Sequence, residues 1–141
     1  NEKMLIFLVA ASLQLAAASP DPPAITDLVE ALNTTERLWL VIRSYDWREP
    51  EQRHNCVYHE KKNLTSRAYN FTQHYIKDGK NQTLELLAEL KVANASGYPT
   101  MKVRLQSAKR TASYALRTWN NEDKCGVLTF KDMNGTRQCE M

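Results

Sequence analysis

Apolar and polar positions alternate from Leu38 almost to the C-terminus, which is the period-two signature of strands with one buried face. Leu38 to Tyr45 (LWLVIRSY) is rich in β-branched and aromatic residues and predicts a first strand. Cys56 to Glu60 predicts a second. Ala68 to Ile76 and Gln82 to Val92 flank Asp78-Gly79, a two-residue hairpin signal. TLELLAELKV is built from helix formers, but its period decides against a helix. Leu84, Leu86, Ala88, Leu90 and Val92 fill one strand face, with Leu87 the exception. Met101 to Leu105, Thr111 to Trp119 and Gly126 to Phe130 follow. Asn134-Gly135 then turns the chain into an eighth strand that barely begins. Ahead of the strands, Asp27 to Leu32 (DLVEAL) predicts a short helix after Pro22-Pro23, with Thr26 as N-cap.

Seven strands and the opening of an eighth, with no crossover helices, predict an all-β fold of antiparallel neighbours that closes as a barrel or packs as a sandwich. Eight strands in up-and-down order leave an interior able to hold one small ligand. A truncated eighth strand would leave an unpaired edge.

The N-terminal pattern is different. Leu5 to Leu15 is an apolar run broken only by Ser12 and Gln14, and Ala16-Ala17-Ala18 offers small residues for a signal peptidase. The run is shorter than the roughly 18–20 apolar residues of a membrane span. Residues 1–18 therefore read as a secretory leader with a start at Met4, and residues 19–141 as one extracellular domain.

Glycan acceptors agree with that address. Six of ten asparagines, Asn33, Asn63, Asn70, Asn81, Asn94 and Asn134, open N-x-S/T triplets. With 18 Ser and Thr in 141 residues, chance gives about 1.3. Net charge is +3 with scattered basic residues, which argues against nucleic acid as a partner.

Cys56, Cys125 and Cys139 make an odd count for a secreted chain. Registering the last hairpin on Asn134-Gly135 pairs Met133 with Thr136 and sets Cys139 opposite Phe130. Cys125 then lies five residues out of register, about 17 Å along a strand, beyond the roughly 7 Å a disulfide spans. Partner cysteines beyond Met141 would explain the count and make the chain a fragment, incomplete at its C-terminus. One bridge from Cys56 plus a free thiol is the other reading.

Catalytic and metal patterns are missing. His54, His59 and His74 lack zinc-site spacing. There is no G-x-S-x-G, P-loop or paired-carboxylate motif, so neither an enzyme nor a cofactor is expected.

The order of a short acidic helix, LWLVIRSYD, NCVYHEKK, alternating strands, DKCGVLTF and a hairpin into QCEM resembles the tick salivary lipocalins related to the histamine-binding proteins. The likeness runs from about Asp27 to Met141. It implies an eight-stranded up-and-down antiparallel lipocalin barrel, with most of the eighth strand and a C-terminal helix missing here. It also implies that Cys56 and Cys125 bridge to cysteines downstream of Met141, with Cys139 a further disulfide half. The implied function is sequestration of a small host mediator, a biogenic amine such as histamine or serotonin or a lipid such as a leukotriene, by a monomer during blood feeding. Some relatives bind host complement proteins instead.

Carried over residue by residue, Tyr45 and Tyr114 match pocket aromatics and Glu140 matches the acid of the family's C-E-L-W motif. Trp39 shares strand parity with Tyr45 and is a further candidate, with Trp47 and Tyr58 behind it, and Trp119 is placed to cap one barrel end. Two family acids are absent, since Gly126 and Leu116 stand in their places. A dibasic amine calls for two carboxylates, so the single matched acid turns the expectation from histamine toward a monoamine or an apolar acid.

Overall fold

A computed structural model describes residues 21–45, 54–92, 95–105, 111–132 and 134–141. The leader, its cleavage position at Ala18, Trp47 and the Asn94 acceptor lie outside them. Among the described residues the order is α1 (Ile25–Leu32), β1 (Leu38–Trp39), β2 (Asn55–Leu64), β3 (Ala68–Lys77), β4 (Lys80–Val92), β5 (Pro99–Leu105), β6 (Thr111–Asn120), β7 (Cys125–Lys131) and β8 (Arg137–Glu140). The strands form one antiparallel sheet in sequence order, each paired with its chain neighbours. TLELLAELKV is strand throughout, as its period indicates.

The sheet curls until its ends meet. Leu40 N–H still bonds to Val57 of β2 at 3.0 Å. Beyond it the extended segment 41–45 turns to β8: Ile42 and Met141 exchange N–H···O bonds of 3.0 and 2.8 Å, and Ser44 N–H donates to Cys139 at 2.9 Å. Arg43 sits opposite Glu140 in this seam. The expected unpaired edge is therefore absent, because the backbone groups that β8 turns away from β7 are taken by the first strand segment. The ring is an eight-stranded up-and-down barrel.

Opposed residues in antiparallel strands share a face, so the register defines the inner wall. Leu38, His59, Gln73 and Leu84 form one row across β1–β4, and Phe71, Leu86 and Leu105 form another. Tyr69, Ala88, Val103 and Ala112 make a third. Leu116, Leu128, Glu140 and Arg43 make a fourth on the far side. The α1 helix presses Leu28 (2% exposed) and Leu32 onto the end where β3 begins and β4 finishes, joining Tyr69, Leu90, Met101 and Leu116 in the core. That end is closed, and the 77–80 and 132–136 turns lie at the other.

Two of three local details differ from the sequence reading. The helix starts two residues early and is capped at Ala24, whose N–H donates to the Asp27 carboxylate at 2.6 Å, so Thr26 lies inside it. Asp78 and Gly79 both take positive φ (51° and 69°) and make the expected two-residue turn. At the last hairpin only Gly135 among the described loop residues does (77°), and the Asp132 carboxylate accepts the N–H groups of Asn134 and Thr136. The loop is one residue longer than the two-residue reading, and Cys139 faces Thr129 rather than Phe130. A one-residue slip exchanges faces. Here it sets Glu140 opposite core Leu128 instead of Thr129.

Candidate functional site

Three of the four residues singled out for ligand contact converge on the inner wall near the seam. Tyr45 ends the first strand segment, Tyr114 lies mid-β6 and Glu140 closes β8. The Tyr45 hydroxyl donates to Glu140 Oε1. Phe130 on β7 joins them, edge-on to Tyr45 with centroids 5.3 Å apart and tilted against Tyr114 at 5.0 Å. Arg43 completes the group, its guanidinium 5.8 Å from the Tyr45 ring centroid and donating to the His54 carbonyl at 3.0 Å.

Phe130 and Arg43 were not anticipated. Phe130 shares β7 parity with Leu128, a signal available in the alternation. Arg43 could be placed only by knowing that the seam closes.

The electrostatics follow from burial. Glu140 is pushed above the usual carboxylate range by loss of water, an effect opposed by the Tyr45 hydrogen bond and by Arg43. Tyr45 and Tyr114 are both pushed up, first by burial and then by the Glu140 charge. Both phenols therefore stay protonated and act as neutral donors. The result is an inward carboxylate, steadied by one hydroxyl and the nearby Arg43 guanidinium and walled by three aromatic rings. Such a set favours a cation, through the carboxylate and the ring faces together.

His59, Tyr114 and Glu140 lie deep enough for burial to dominate their titration, yet each keeps part of its surface open to water.

The wall is tightly packed at Gly126. A Cβ there would lie 2.9 Å from the Thr118 carbonyl oxygen, 3.1 Å from Trp119 Cε3 and 3.3 Å from Leu116 Cδ1. Trp119, opposite Gly126, and Leu116 occupy what a side chain would need, forming an apolar floor toward the closed end.

Trp39 is elsewhere. It pairs with Tyr58 on the outer face, is 49% exposed and packs on the Tyr58 ring at 4.7 Å. The parity argument fails because the segment changes partner between Leu40 and Ile42, and regular alternation does not carry across. Tyr58 itself stacks on His74 at 4.5 Å, and His74 Nε2 is 3.0 Å from Glu60.

Of the other histidines, His54 stacks on Tyr75 and His59 bonds to Gln73 at 3.0 Å. No cluster of three His, Cys, Asp or Glu able to hold a metal occurs among the described residues. The three cysteines are unbridged, with Cys56 and Cys125 exposed. Asn33, Asn63, Asn81 and Asn134 are exposed acceptors, while Asn70 is half-buried within β3.

A family model described as tick histamine binding protein matches residues 17–141. No curated protein matches the chain.

Proposed function

The chain belongs to the tick histamine-binding protein family, and from that membership we propose that it is a secreted salivary carrier that sequesters a small host mediator bearing a single positive charge. The observation that carries the reading is the Tyr45–Glu140 hydrogen bond inside the ring of Tyr45, Tyr114 and Phe130. An ammonium seated against Glu140 gains a counter-charge and aromatic faces in a site already partly stripped of water. The apolar floor of Gly126, Trp119 and Leu116 favours one charge over two. A monoamine with an aromatic body, such as serotonin, suits this arrangement better than dibasic histamine. Removing such a mediator from host tissue would blunt the host's defence.

Calorimetry of the full chain against serotonin, histamine and a leukotriene tests the proposal. Saturable one-to-one uptake of serotonin, weakened at least about 30-fold (roughly 2 kcal/mol) by Glu140→Gln, is expected. Failure to bind any amine overturns it.

A second reading rests on Arg43. With Glu140 protonated, that guanidinium is available for the carboxylate of a lipid mediator. Leukotriene uptake that strengthens as pH falls would favour it. A host protein as partner would instead use the exposed apolar residues Trp39, Val41 and Ile42, and capture from plasma unaffected by Tyr114→Ala would point there.

A further inference from the structure

Inside the same barrel, away from the seam, one hydrogen-bonded pair has no part in the site described above. His59 of β2 and Gln73 of β3 oppose each other on the inner wall, His59 Nε2 lying 3.0 Å from Gln73 Oε1. Phe71, two residues from Gln73 on the same face, backs the imidazole with centroids 4.5 Å apart.

The pair uses one ring nitrogen and one amide atom. Its remaining polar atoms, His59 Nδ1 and the second amide atom of Gln73, are not among the fully buried atoms without partners. No further hydrogen bond among the described residues uses them, and both residues are half-buried rather than sealed in the core.

Their chemistry does not depend on which way the amide points. If His59 Nε2–H donates to the Gln73 carbonyl, Nδ1 is left as an acceptor and the amide NH₂ as a donor. If the amide is turned, Nδ1–H is the donor and the carbonyl the acceptor. Either way the wall presents one donor beside one acceptor, with no charge. A hydroxyl group, which both donates and accepts, is the complement.

A second unused group lies on the same strand face. The Tyr69 hydroxyl is fully buried with no partner, its ring stacked on Phe71 at 4.5 Å. Hydrogen-bonding capacity on this wall thus exceeds what the protein itself consumes.

We propose that His59 and Gln73 form a neutral hydroxyl-binding subsite of the barrel interior, so that the ligand is an elongated hydroxylated aromatic with its charged end toward Glu140. The inference rests on the reading of the interior as a ligand chamber. Leu38 stands opposite His59 and Arg43 opposite Glu140, which separates the two levels by five residues, about 17 Å at a strand's rise. The two inward side chains shorten that span. The ligand must still be long, with opposite ends of different character.

Four probes separate the two ends: serotonin, tryptamine, 5-hydroxyindole and indole, each titrated into the full chain. The hydroxyl adds at least tenfold in affinity within each pair, serotonin over tryptamine and 5-hydroxyindole over indole. In His59→Leu/Gln73→Leu the hydroxyl gain disappears. For a readout without mutation, ¹⁵N signals of the His59 ring move with 5-hydroxyindole and stay with indole. A hydroxyl that adds nothing, a gain that survives the double substitution, or an unmoved His59 ring overturns the subsite. A hydroxyl gain without an ammonium gain leaves the subsite standing and removes the cationic reading of Glu140. No binding of any probe removes both.

Discussion

The Tyr45 hydroxyl bonds to the Glu140 carboxylate across 95 positions of sequence, and the contact spans the line where the first strand segment meets the last strand. One side chain of the pair is a donor that burial keeps protonated. The other is an acid that burial holds above its ordinary range, so the proposed ligand recognition and the barrel closure share the same two residues.

Glu140→Gln separates stability from binding. The folded acid has a raised pKa, so its contribution to stability is fully present below the ordinary carboxylate range, near about 4.3. That contribution is lost as pH rises through the folded value. Compared with Glu140→Gln, the ligand-free wild type therefore loses stability with rising pH. Amine affinity runs the opposite way, growing as Glu140 ionises. Urea denaturation and calorimetry at matched pH from 4 to 8 check both signs.

Tyr45→Phe removes a donor to a buried acceptor and costs about 1–3 kcal/mol. It also deprives ionised Glu140 of its hydrogen bond, raising that carboxyl further. The pH above which amine binding develops moves upward, and a binding–pH profile measures it.

His59 carries the reverse dependence. Burial takes its pKa down to about 4, with the Gln73 bond opposing and the neighbouring His74 adding slightly. A depressed histidine gives stability at neutral pH that is lost as pH falls from about 6.5 toward 4, about 3 kcal/mol in full. His59→Gln flattens that part of the acid limb, measured by urea midpoints relative to wild type.

Gly126→Ala forces the Trp119 ring and Leu116 aside and presses on the Thr118 carbonyl. Overpacking of this kind costs about 1–3 kcal/mol. Leu116→Val in the same chain recovers part of the loss, because it frees one of the three contacts. Thermal melts of the two single variants and the pair show the coupling as non-additivity.

Tyr69→Phe deletes a buried hydroxyl that has no partner. The substitution is neutral or stabilising by up to about 1–2 kcal/mol, against the usual loss for a core change. A fall in melting temperature comparable to that of Phe71→Leu contradicts this.

Strand positions were legible because alternation follows directly from burying one face, and each of β2–β7 contains the segment its pattern indicated. Asp78-Gly79 was legible because two adjacent positive-φ residues demand that chemistry. The last hairpin was misregistered by one residue because the Asp132 carboxylate folds over the turn, and a side-chain bond of that kind leaves no periodic trace. Trp39 was set on the wrong face because parity was carried through a segment that changes partners. Tyr45, Tyr114 and Glu140 were named from family likeness, and their convergence depends on a closed ring. His59 was weighed only for zinc-site spacing, because a histidine in an alternating strand looks the same whether its wall faces solvent or lumen.

The junction between residues 41–45 and β8 has one more consequence. It is short, and a guest bound as proposed would sit on its inner side, so that a molecule gripped by Tyr45 and Glu140 would act as a rivet through both staves. Amide protons of Ile42, Ser44 and Met141 will exchange with deuterium more slowly in the loaded form, while those of the β3–β4 ladder will hardly notice the guest. Departure of cargo and parting of the hoop are then the same event seen from two sides.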